Sequence, residues 1–212
     1  MPNIDFTQLL IVFAVLLFSL TFHEAAHAWS ADRFGDPTAR ALGRVSLNPA
    51  VHVDLIGTIV FPLIALSTGV PVLGWAKPVP VNVRQLGMHA NQKFMAVSAA
   101  GPASNLLLAI ICSLILRLLD VTAGVGGEAT GMTASVLVLA IRLNVLLAIF
   151  NMLPIPPLDG GNVLSGLLHG SAARVFNGLR NYGFLILYAL LFSGILWSLV
   201  TPPESLLLSW LL

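Results

Sequence analysis

The chain has 212 residues, of which 57% are hydrophobic and only 9% charged, with a net charge of +1 and a mean hydropathy of +0.92. An average soluble domain carries about 25% charged residues, so an ordinary water-soluble globule is excluded. No basic run suggests nucleic acid, and a single cysteine, Cys112, excludes both a disulfide framework and a CxxC metal site.

In chain order, residues 6–31 form the first apolar run and end in "TFHEAAHAWSA". A spanning helix needs about 20 apolar residues, and this run meets that length. No basic stretch precedes it and no small-residue cleavage site follows, so it is expected to be retained as a helix. Gly35, Pro37 and Pro49 then break the chain. The apolar stretch 55–68 is shorter, is interrupted by Pro62, and reads as a partial or re-entrant segment. "STGVPVLGWAKPVPVNVRQL" alternates small, β-branched and proline residues, which reads as extended chain or a hairpin.

Residues 94–119 and 133–152 are the next spanning helices. A short helix is expected over 160–169 after the broken "LPIPPLDGG", and a last helix over 182–200. The fold class is therefore an all-α polytopic membrane protein, one domain over 1–212, with about four to six membrane-embedded helices. A re-entrant or hairpin segment lies between its first two full spans. Irregular backbone at that depth is tolerated where protein or a water-filled cavity covers it.

Lysine and arginine set the expected orientation. If 55–75 does not cross, then Arg33, Arg40, Arg44, Lys77, Arg84 and Lys93 share one side with Arg174 and Arg180, and Arg117 alone lies opposite. That places the N-terminus outside and residues 32–93 in the cytoplasm of a prokaryotic (inner) membrane.

Charge inside a spanning helix is expensive and marks a functional site by default. His23 and His27 stand four residues apart, so they share one helix face and both imidazoles can reach one metal ion. Glu24 lies beside them; HExxH on a helix is the pattern of a zinc protease whose glutamate is the general base. Catalytic zinc takes three protein ligands and leaves one position open. Asp159 is the candidate third ligand, because it follows a spanning helix and is expected at the depth of the histidines. Two histidines and a glutamate lining a polar helix interface is the bland alternative for the first motif, and a turn with an Asx cap for the second.

"HEAAH", "GPASN" and "NMLPIPPLDGG", each on or after a successive helix, resemble the site-2 protease family of intramembrane zinc metalloproteases. "GDPTARALGRVSLNPAVHVDLIGT" and "GWAKPVPVN" resemble its compact subgroup without PDZ or CBS domains. The resemblance covers roughly residues 19–165. It implies one zinc ion per chain on His23, His27 and Asp159, with Glu24 as base. It also implies that Asn151 holds the substrate backbone or the oxyanion, and that the partner is a membrane-anchored protein in the lipid bilayer.

Other residues carry weaker readings. Asn105, His52 and Trp75 are candidates for contact with substrate. Asn105, with Gly101 and Pro102, equally suits helix packing and an interhelical hydrogen bond; His52 and Asp54 equally suit a cap. Residues 70–82 offer an edge that could hold extended peptide, or a plain surface loop. Asn144 lies inside a helix with no partner assigned, and Arg142 beside it either snorkels or pairs with a carboxylate such as Asp120 or Glu128. The alternative to an enzyme is a zinc-holding scaffold or permeation protein, which would not need Glu24.

Overall fold

A computed structural model describes residues 6–61, 64, 75–122 and 128–212. Helix α1 (Phe6–Arg33) is followed by a single turn, α2 (Thr38–Ala41). After irregular chain come α3 (Ala90–Thr122) and α4 (Glu128–Asn151). Four shorter helices complete the chain: α5 (Asp159–Leu167), α6 (Gly170–Leu179), α7 (Gly183–Phe192) and α8 (Ile195–Leu211). Among the described residues there is no β-strand. The protein is an all-α polytopic membrane protein. Among the described residues four stretches, 6–33, 90–120, 131–151 and 170–192, are long and apolar enough to cross a membrane.

Helix α1 reverses the usual pattern of a soluble helix. Its buried residues all lie between Ser19 and Ala31 and include Ser19, Thr21, His23, Glu24 and His27, whereas the apolar half before Ser19 has none. Lipid solvates the apolar half, so packing is spent on the polar half. Helix α3 packs against α1 and α4, and α4 packs against α8.

Helix α8 runs antiparallel to α4. Leu196 and Val200 pack with Leu153 and Leu158 beyond the end of α4, together with Leu187 and Leu191 of α7. Leu207, Leu208 and Leu211 pack against Ala109, Ile141 and Val145. At that far end Ser113 donates to the Leu211 carbonyl and Arg117 to that of Trp210. Seventeen residues give α8 a length of about 25 Å.

This corrects the sequence expectation of one helix over 182–200. The break falls at Ser193–Gly194, where Gly194 takes φ +78°, a left-handed turn that glycine adopts without strain. Pro202 and Pro203 then sit inside α8 instead of ending it, which spanning-type helices tolerate.

The segment between α1 and α3 is held by side chains. Leu55–Val60 forms a π-helical stretch capped by Asp54, whose carboxylate accepts from the Ile56 and Gly57 amides. The re-entrant or crossing question for 55–75 otherwise falls outside the described residues. Residues 75–82 are irregular, so the part of the expected strand edge that is described forms no ladder. The Trp75 ring lies over Gly57, where a Cβ would approach it to 2.6 Å.

Candidate metal centre

The two histidines and Asp159 meet although 136 residues separate the ends of this group. The Nε2 atoms of His23 and His27 are 3.1 Å apart, and Asp159 Oδ2 is 3.1 Å from the first and 3.3 Å from the second. The convergence has local causes. One helical turn aligns His23 with His27. Asp159 opens α5, which can fold back closely because Gly160 and Gly161 follow it. A Cβ on Gly160 would lie 2.2 Å from the Met152 carbonyl oxygen, and one on Gly161 2.8 Å from the Ile155 backbone.

The other ring nitrogens decide what the centre can hold. His23 Nδ1 donates to Asn105 Oδ1 at 2.6 Å, and His27 Nδ1 donates to the Val97 carbonyl at 2.7 Å. Both neutral rings then present an Nε2 lone pair inward, next to a carboxylate oxygen. Three acceptors thus converge with no donor between them, which is an arrangement that calls for a cation. Zinc–ligand bonds of about 2.0–2.1 Å at tetrahedral angles place ligand atoms about 3.3–3.4 Å apart, close to the observed triangle. The residues present therefore fit zinc.

Glu24 is buried beside the ligands. Its Oε2 accepts the Val79 amide at 3.0 Å, and Oε1 has no hydrogen-bond partner among the described residues. Val79 is presented by a set of clamps. Buried Arg44 donates to the carbonyls of Val51, Lys77 and Pro78. Asp36 accepts the Asn82 amide at 2.6 Å, and the Lys77 amide donates to the His52 carbonyl at 2.8 Å. On the far side α3 presses against the histidines. A Cβ on Gly101 would fall 2.4 Å from His27 Nε2 and 2.6 Å from His23 Nε2.

Comparison with known proteins decides the family. The sequence pattern of Peptidase family M50 matches residues 121–194, which contain Asp159. The chain is 36% identical to YwhC of Bacillus subtilis, named as a zinc metalloprotease, over 91% of this chain and 87% of that one. The chain belongs to peptidase family M50, the site-2 proteases. It is 33% identical to Rip2 of Mycolicibacterium smegmatis over 86% of this chain and 66% of that protein. It is 29% identical to Rip2 of Mycobacterium tuberculosis over 84% and 65%; both carry zinc metalloprotease names. No solved structure gives a significant match.

Within this M50 chain the remaining sequence candidates separate. Asn105 lies in the centre, bonded to His23. Asn151, at the end of α4, donates its amide to the Leu147 carbonyl of its own helix at 3.0 Å. His52 is buried and contributes no atom to the ligand triangle. Its Nε2 donates to the Ser46 carbonyl, and its Nδ1 is buried without a partner among the described residues. Trp75 packs on Phe61 and Phe184, and its carbonyl accepts the Thr58 hydroxyl. Both therefore pin the irregular segment. Sequence reading missed Arg44, Asp36 and Val79, and it left Asn144 without a role. The available signal for Asn144 was an amide in the middle of an apolar helix.

Proposed function

We propose that this zinc metalloprotease is an intramembrane endopeptidase that cuts membrane-anchored proteins in or near a transmembrane segment. One zinc ion per chain is held by His23, His27 and Asp159. The observation that carries the reading is the triangle of inward lone pairs, set in the polar half of a helix whose other half is apolar. A permeation path would need polar residues through that other half too.

When bound, zinc supplies a Lewis acid for the scissile carbonyl and lowers the pKa of the attacking water toward about 7. Glu24, braced through Oε2 by the Val79 amide, takes the water proton on Oε1 as the new C–O bond forms. It then delivers that proton to the amine nitrogen as the C–N bond breaks. Asn151 steadies the substrate backbone or the developing oxyanion once its amide leaves Leu147. The basic residues of 33–93 sit at the end of the bundle nearer the site, and Arg117 sits at the other, which supports a site facing the cytoplasm of a prokaryotic inner membrane.

The test is zinc content and cleavage of a membrane-anchored reporter by detergent-purified protein. Glu24→Gln is expected to keep one zinc per chain and to lose cleavage by at least about a thousandfold. Asp159→Ala is expected to lose zinc as well. Wild-type cleavage by Glu24→Gln would overturn the proposal.

A further inference from the structure

Beyond the ligands, a directed line of hydrogen bonds crosses three helices. Asn105 Oδ1 accepts from His23 Nδ1, and Asn105 Nδ2 donates to Asn144 Oδ1 at 2.8 Å. Asn144 Nδ2 donates to Ser19 Oγ at 2.9 Å, and Ser19 Oγ donates to the Val15 carbonyl at 2.8 Å. Ser19 and Asn105 are 0% exposed and Asn144 is 2% exposed.

The direction of this line is not arbitrary. A side-chain amide can present either end, but a backbone carbonyl only accepts. Asn105 Nδ2 also meets the Ser19 carbonyl at 3.2 Å, and Asn144 Nδ2 meets the Ala140 carbonyl at 2.9 Å. Turning either amide over would set oxygen against oxygen, without water to relieve it. Each carbonyl therefore fixes which end of its asparagine is the donor. The last link, Asn105 Oδ1, can only accept, so His23 must carry its proton on Nδ1.

We propose that Asn144 and Ser19 are positioning residues for the metal centre, acting through Asn105 to hold His23 with its Nε2 lone pair directed at zinc. The proposal rests on the metal-centre reading above and extends it to two residues that touch no ligand. Groups that orient a metal-bound histidine are typically worth about ten- to a hundredfold in metal affinity. Asn144 comes first because, among the described residues, it supplies the only side-chain acceptor for Asn105 Nδ2. Ser19 comes second because Asn144 keeps the Ala140 carbonyl without it.

The experiment is zinc affinity of the full chain in detergent, by competition with a chelator, alongside thermal unfolding of the metal-free protein. Asn144→Leu is expected to weaken zinc binding about tenfold or more, and Ser19→Ala about threefold. Ser113→Ala removes a buried hydroxyl from α3 off this line, and is expected to change unfolding but not zinc affinity. Should Asn144→Leu fail to fold, the Ser19→Ala affinity, ranked against that of Ser113→Ala, decides. Wild-type zinc affinity in Asn144→Leu, or equal weakening by Ser19→Ala and Ser113→Ala, overturns the relay alone. Absence of zinc from wild type overturns the metal-centre reading and the relay with it.

Discussion

Two regions hold Glu24 and its neighbours, and they solve the same problem in opposite ways. In the α1–α3–α4 layer the backbone is already bonded within its helices, so buried polar side chains mostly bond one another: His23 to Asn105 to Asn144 to Ser19. In the described residues between α1 and α3 much of the backbone is irregular, and polar groups there lack regular helical partners. There, charged side chains bond to backbone: Arg44 to three carbonyls, Asp36 to Asn82, Lys93 to Leu86, Glu24 to Val79. Under the proposed mechanism the helical layer sets ligand direction, and the irregular segment sets where Glu24 points. Damage to the first is expected to appear in metal affinity, and damage to the second in turnover.

Gly101→Ala tests the helical side most severely. The added methyl meets both Nε2 atoms within 2.6 Å, so the rings must turn and the triangle must open. Alanine is a better helix former than glycine by about 1 kcal/mol, so propensity gives the metal-free variant no reason to lose stability. A loss of about a hundredfold in zinc affinity is expected, together with a metal-free destabilisation of about 1–3 kcal/mol from overpacking, part of which the gain in propensity offsets. Zinc binding at wild-type strength would mean that α3 does not fix the ligands.

Arg44→Ala tests the irregular side and should have the next largest effect. Arg44 is buried and its guanidinium is the shared donor to Val51, Lys77 and Pro78. Its removal strands carbonyls and is expected to cost about 3 kcal/mol of stability. Val79 loses its support, so cleavage should fall about tenfold while zinc affinity stays within about threefold, if the two regions divide the labour as described. Equal losses in both measurements would merge the two regions into one.

The same division explains what could be read from sequence. HEAAH was legible because four residues along one helix fix a geometry without any tertiary knowledge. Asp159 was legible because the broken stretch that carries it returns to the depth of the histidines. Asn144 was not, because its bond to Ser19 joins residues 125 apart, and a lone amide in a helix has no periodic signature. Arg44 and Asp36 looked like ordinary loop charges, since their partners are backbone atoms, which every residue offers. For Trp75 and His52, offered as candidates for substrate contact, the structure shows partners within the irregular segment: Phe61, Thr58 and the Ser46 carbonyl. The end of the last helix was misplaced because Pro202 and Pro203 signal a stop, whereas Ser193–Gly194 makes the actual break.

Arg40→Ala gives the smallest expected effect and acts as the control for the other two. Arg40 and Asp32 form a two-pronged pair with both bonds at 2.6 Å, the best-formed ion pair among the described residues by geometry. Arg40 is nonetheless 63% exposed, and water and salt screen such pairs to little or nothing. It also contacts neither the ligand triangle nor the segment that braces Glu24. Unfolding temperature, zinc affinity and cleavage should all match wild type within error. A clear loss of cleavage in Arg40→Ala would show that the α1–α2 corner shapes the site from outside, and that the Arg44 result reports the whole 32–93 segment instead of its hold on Val79.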